Sequence, residues 1–221
     1  MKRLLPALLV LAFAHAAVRA EEHRVEPLAE APPEELAAEI TATLGESGVR
    51  VLRGESRTVC DIWLCKEWKL ASGEPGSGLI YPFAPGQLIG AIRYSRRGAD
   101  FRDQDINSGV YTLRYSQQPV DGAHVGTSIT RDFLLLLPAE ADTSPAALEY
   151  KPLVEHSKEA AQSSHPALLS MQKAEGEAAA PSMRANVEKE WEIVRLGGTA
   201  VVGEKKEPLV FDLVVVGVAE E

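Results

Sequence analysis

The clearest pattern in the chain is GVYTLRYS at 109–116. Tyr111, Leu113 and Tyr115 fall on one side of an extended chain, and Val110, Thr112 and Arg114 on the other. VRVLR (49–53), TVCDIWLCKEW (58–68) and QLIGAIRYS (87–95) read as further strands, as do TAVVG and the closing PLVFDLVVVGVAE. RDFLLLLP (131–138) breaks the alternation with four consecutive leucines, which predicts a strand covered on both faces and ended by Pro138. Helical spacing occurs in two places. PEELAAEITATLG (33–45) sets Leu36, Ile40 and Leu44 four residues apart before Gly45, and 144–172 reads as one or two short helices.

Between these runs lie ASGEPGSGLIYPFAPG (71–86) and the low-complexity stretch 173–186, both read as loops, and a turn expected around Gly197 and Gly198. Many strands with little helix between them predict a mainly β fold. The expectation is an antiparallel β-sandwich, Ig- or jelly-roll-like, with a short N-terminal helix and a helical insertion about 144–172. A closed β-barrel is the structural alternative.

The first twenty residues differ from the rest. Lys2 and Arg3 precede an apolar stretch from Leu4 to Phe13, and small residues follow, the layout of a secretory signal peptide. Val18 and Ala20 suit a cleavage site after Ala20, with Ala16 as second choice. The apolar core is shorter than the ~20 residues of a membrane span. Residues 1–20 are therefore assigned to the signal, 21–33 to a flexible arm and 34–221 to a single domain. Export, to the periplasm or beyond the cell, follows as an expectation. Losing Lys2, Arg3 and Arg19, with no acid in the segment, takes the net charge from −9 to −12. That balance argues against nucleic acid as a partner, because such binding relies on clustered basic residues.

Export also makes a disulfide between Cys60 and Cys65 chemically permissible. Extended residues five apart sit ~16 Å from each other, whereas a disulfide needs Cα atoms within about 7 Å. Either the segment is a strand with two buried thiols, or it folds back and is bridged.

Few residues carry recognisable chemistry. Asp121, His124 and Gly126 lie in the loop between two strands, and Arg131-Asp132 opens the leucine strand. Asp121, His124, Arg131 and Asp132 are the candidate binding residues. The simpler reading is that Asp121-Gly122 makes a turn and His124 closes it. A divalent metal is the alternative, with Asp121, His124 and His156 or His165 as ligands; no local zinc motif exists. His23 falls in the expected arm and is set aside. DQDINSG (103–109) spaces oxygen ligands as a calcium loop does, but Ser108 and Arg114 stand where glycine and a bidentate glutamate are required. No nucleophile elbow or phosphate loop occurs. Trp63, Trp68 and Trp191 suit either core packing or stacking on sugar rings, and Tyr81, Pro82 and Phe83 offer a contact surface.

The stretch FRDQDINSGVYTLRYSQQPVDGAHVGTSITRDFLLLLPAEAD (101–142) resembles a family of exported bacterial proteins of unknown function, whose pattern includes GVYTLRYxxQPxDGxHxGxSxxRDFLLL. The likeness continues through HPALLS and LVFDLVVVG. It implies no activity, and its matching positions are Asp121, His124, Gly126, Arg131 and Asp132. The glycine-initiated Tyr-x-Leu strand is also similar to another group of secreted β-sandwich domains. The expected function is an exported, non-enzymatic protein binding a small ligand or an envelope protein without a cofactor. A metal carrier or metal-assisted hydrolase built on Asp121 and His124 is the rival, and a structural envelope component a third reading.

Overall fold

A computed structural model of the chain describes residues 22–121 and 130–219. Among them the strands are β1 (His23–Leu28), β2 (Gly48–Arg53), β3 (Arg57–Leu64), β4 (Trp68–Leu70), β5 (Leu88–Tyr94), β6 (Gly98–Ala99), β7 (Asp105–Ile106), β8 (Gly109–Gln117), β9 (Asp132–Pro138), β10 (Leu168–Gln172), β11 (Ser182–Asn186), β12 (Trp191–Val202) and β13 (Lys205–Val216). The helices are α1 (Ala38–Thr41) and α2 (Tyr150–Ala161). No helix among the described residues is long and apolar enough to cross a membrane.

The fold is mainly β, as the alternation predicts. Ten strands follow one hydrogen-bonded path, β1-β2-β3-β5-β8-β9-β10-β13-β12-β11, and β4 joins β12 in parallel beside it. The path bends at β10. Leu168, Leu169 and Ser170 pair with β9, while Met171 and Gln172 pair with β13, so one short strand serves both halves of a curled sheet. The curl brings the two ends of the path, β1 and β11, alongside each other.

Alternation decides which side chains enter the curl. Tyr111, Leu113 and Tyr115 of β8 face the main core together with Leu134 and Leu136 of β9. Leu135 and Leu137 point the other way and pack under Leu153 of α2. The leucine run is thus buried on both faces, each full burial contributing about 1.5–3 kcal/mol. Inside the curl, Trp68 meets Phe83 and Phe211 edge-on at 5.5 and 5.8 Å. All three tryptophans are core residues, as are Tyr81 and Phe83, so the latter pair is not an exposed contact surface.

Several expectations are corrected. The segment read as a flexible arm contains β1, paired to β2 along its whole length. Pro27 is tolerated there because an end strand leaves one row of backbone groups unpaired. The 33–45 helix shortens to α1, although Leu36, Ile40 and Leu44 are buried as their spacing implies. The insertion ends early, since its last residues form β10, and the low-complexity stretch contains β11. Gly197 and Gly198 make no turn; β12 runs straight through them. A Cβ on Gly198 would lie 2.7 Å from the Trp68 ring, and one on Gly197 would lie 3.0 Å from the Ala180 Cβ. Glycine marks a close approach here, and the chain reverses at Gly203-Glu204, between Val202 and Lys205.

Candidate functional site

The register at one end of the sheet gathers basic side chains. His23 opens β1 opposite Arg53, the last residue of β2, and Arg53 in turn faces Arg57, the first residue of β3. Strict alternation would turn Arg57 outward, because it lies three residues before the inward-facing Cys60. A register shift after Val51 prevents this. Val51 pairs with Cys60 but Leu52 pairs with Thr58, so β3 carries one extra residue and Arg57 arrives on the same face as Arg53. Arg24 holds the intervening turn, donating hydrogen bonds to the carbonyl oxygens of Gly54 and Glu55. Arg53 and Arg57 thus stand directly opposite each other on one face of the sheet.

The turn after β5 completes the ring. Tyr94 follows Arg93, whose neighbour across β3 is Asp61, and so its side chain enters the core face beside Cys60. Gly98 crosses directly over that side chain; a Cβ there would come within 2.8 Å of the Tyr94 ring. Together these elements enclose a cavity of about 310 Å³. Arg53, Arg57, Arg96 and Arg97 line it with His23 and Tyr94, and Val215, Val216 and Val218 supply an apolar wall. Asp103 lines it as well, so four arginines against one aspartate leave +3 on the lining of a chain whose net charge is −9. Arg97 also forms an exposed pair with Asp105 at 3.2 Å.

Two polar groups at the cavity are buried without hydrogen-bond partners among the described residues. Tyr94 is 2% exposed and its hydroxyl is unpaired. The His23 side chain is 7% exposed; Nδ1 lies 3.3 Å from Glu192 Oε1, too poorly aligned for a hydrogen bond, and Nε2 has no partner. A buried unsatisfied donor costs about 1–3 kcal/mol, and such groups are rare in folded proteins. Burial pushes the Tyr94 hydroxyl well above its ordinary pKa, so it stands as a neutral donor. The arrangement offers guanidinium groups around an open mouth, which suits an anion.

The residues singled out in the sequence are placed differently. Asp132 is fully buried, and its carboxylate accepts hydrogen bonds from the Ile80 and Tyr81 backbone N–H groups at 3.0 and 3.1 Å and from the Tyr115 hydroxyl at 2.7 Å. It ties the 71–86 loop to the sheet. Arg131 donates from Nε and Nη2 to the Gln118 carbonyl, closing the base of the loop beyond β8. Asp121 is exposed, and His124 and Gly126 lie outside the described residues. His156 is half-buried on α2, with Nδ1 3.6 Å from Glu159, and His165 is exposed beyond that helix. Among the described residues no three His, Cys, Asp or Glu side chains converge as metal ligands. Cys60 and Cys65 are free, buried thiols. Burial pushes Cys65 up to about 11 and Cys60 higher still.

Other buried charges also fasten segments. Arg114 donates to both oxygens of Asp142, at 2.6 and 2.8 Å, and to the carbonyls of Gly86 and Ala146. Arg195 and Arg184 share Asp212, and Arg195 reaches the 175–178 backbone. Asp100 accepts from the backbone of Arg102, Gln104 and Leu168, which makes it the organiser of the turn carrying Asp103 and Asp105. Sequence reasoning missed His23, Tyr94 and the arginines. The available signal was four arginines flanking strand ends in an acidic chain. No family model, curated protein or solved structure matches the chain.

Proposed function

We propose that the protein is an exported binding protein that holds a small organic anion in the cavity at the end of its curled sheet. The observation that carries this reading is the cross-strand row His23–Arg53–Arg57, joined by Arg96 and Arg97 around one cavity. The mouth of a barrel-like sheet is a common place for a ligand. An acidic body with a local basic mouth also focuses its field there and steers anions inward. The signal-like first twenty residues and the resemblance to exported proteins support an envelope location. The two halves of the sheet, folded over a common aromatic core, are read as a sandwich whose open end is the binding site.

Binding of citrate, hexanoate, D-glucuronate and inorganic phosphate to the mature protein, measured by calorimetry in low and in 0.5 M salt, tests the reading. Binding of at least one organic acid, weakened by salt and reduced at least tenfold in the Arg53→Ala/Arg57→Ala variant, is expected. Failure of all four to bind at millimolar concentration refutes it, as does unchanged affinity in the double variant.

A further inference from the structure

The walls of the cavity narrow the ligand class further, resting on the reading of the mouth as an anion site. Arg53 stands two residues beyond Val51, and Arg57 shares its face. Val51 packs in the main core, so the arginine row rings the open end of the inner face of the curl. Val215 belongs to the same core and lines the cavity, which makes the cavity floor a continuation of the apolar interior. Val59, Val216 and Val218 line it too, the first two half-buried and Val218 42% exposed. Cation and hydrocarbon thus meet in one concave site. A small polar anion would use the arginines and leave the valines against water. An anion with an apolar body uses both, because moving hydrocarbon out of water favours binding.

We infer that the ligand is a free amphiphilic acid, a short acyl or aryl carboxylate whose head pairs with the arginines and whose body lies on the valines. A guanidinium takes a planar carboxylate through two parallel hydrogen bonds. A cavity of about 310 Å³ is at the lower end of small-molecule sites, which suits a short chain or one ring and not the paired tails of a membrane lipid. Each methylene fully withdrawn from water tightens binding about fourfold. Hexanoate carries four more methylenes than acetate, so full burial would give a gain of about 200-fold. The open mouth leaves part of the chain in water, and roughly tenfold is the least gain expected.

Calorimetry on the mature protein compares acetate, butyrate, hexanoate and D-glucuronate, all monocarboxylates of equal charge. Affinity should rise at least tenfold from acetate to hexanoate, with a negative heat-capacity change that marks buried apolar surface. Hexanoate should also bind at least tenfold tighter than glucuronate, its polar six-carbon counterpart. Val218→Ser should weaken hexanoate at least threefold and leave acetate unchanged. Val218 lies beyond β13, and Trp191 holds it through its backbone carbonyl, so this variant keeps the fold. Arg57→Ala should weaken every acid alike. A flat series, or glucuronate binding as tightly as hexanoate, overturns the amphiphile assignment and leaves the anion site standing. A chain-length gain that Val218→Ser leaves intact overturns the seating on the valines. No binding by any of these acids, nor by citrate or phosphate, overturns the anion site itself. Co-sedimentation with phosphatidylglycerol vesicles that Arg57→Ala abolishes would put a membrane surface in place of the free acid and overturn the assignment as well.

Discussion

Replacing Asp132 tests the assignment of that residue as an anchor instead of a ligand-binding group. Its two oxygens accept three hydrogen bonds in a site closed to solvent: Tyr81 N–H and the Tyr115 hydroxyl on Oδ1, and Ile80 N–H on Oδ2. Hydrogen bonds to a charged acceptor contribute about 1.5–3 kcal/mol each. Asp132→Ala strands three donors at once, and a loss of about 4–6 kcal/mol is expected, a large part of the 5–15 kcal/mol that holds a typical domain together. Asp132→Asn separates the contributions. Its carbonyl oxygen keeps the two contacts made by Oδ1, while its amide sets a donor against Ile80 N–H, for a loss of about 2–3 kcal/mol. Urea unfolding followed by tryptophan fluorescence measures both, since Trp63, Trp68 and Trp191 are all buried. A loss below about 1 kcal/mol in Asp132→Ala, or equal losses in the two variants, refutes the anchor assignment.

Three further outcomes are expected. Tyr94→Phe removes an unsatisfied hydroxyl and should leave the ligand-free protein as stable as the parent or about 1 kcal/mol more stable, visible as a melting temperature that holds or rises; a clear drop would show that the hydroxyl has a partner. Gly198→Ala forces a methyl against Trp68, whose indole N–H is fixed to the Ile89 carbonyl at 3.0 Å, and should cost about 1–3 kcal/mol in the same unfolding assay. Neither thiol should react with an aromatic disulfide reagent in the native state, and both should react in urea. Because burial raises the thiols from an ordinary value of 9.0, to about 11 for Cys65, their contribution is fully present below pH 9 and lost as pH rises towards 11. Stability that grew with pH across that window would contradict the burial.

The strands most legible in the sequence were those whose side chains are sorted by a single interface. β8 alternates because one face meets the aromatic core and the other sets Thr112 and Arg114 on Asp142, and β9 reads as continuous leucine because both its faces are covered. β1 was not legible. Six residues containing Pro27 and three charged or titratable side chains carry too little hydrophobic signal, and their pairing with β2 is a long-range fact. Gly197 and Gly198 misled for a related reason: the side chains that crowd them, Ala180 for Gly197 and Trp68 for Gly198, come from other parts of the chain. The site depends on the same kind of information. Arg57 joins Arg53 only through the extra residue in β3, and nothing in TVCDIW announces a register shift. His23 was set aside along with its strand. Asp132, conspicuous beside a leucine run, proved to be an internal tie for the 71–86 loop.

The shared strand β10 and the parallel partner of β4 also impose an order of assembly. From β1 to β9 each strand of the path joins an antiparallel neighbour close behind it in the chain, so these pairings form with short loop closures. β4 has no such neighbour. Its pairing with β12 sets Trp68 against Ala200 and closes a loop of about 130 residues, which must wait until β12 is in place. The indole of Trp63 is seated on β3, among the early pairings, whereas that of Trp68 is sealed only when Gly198 passes over it. Refolding of variants keeping one of these two tryptophans should therefore show two clocks, with the burial of Trp68 marking the last closure of the sheet.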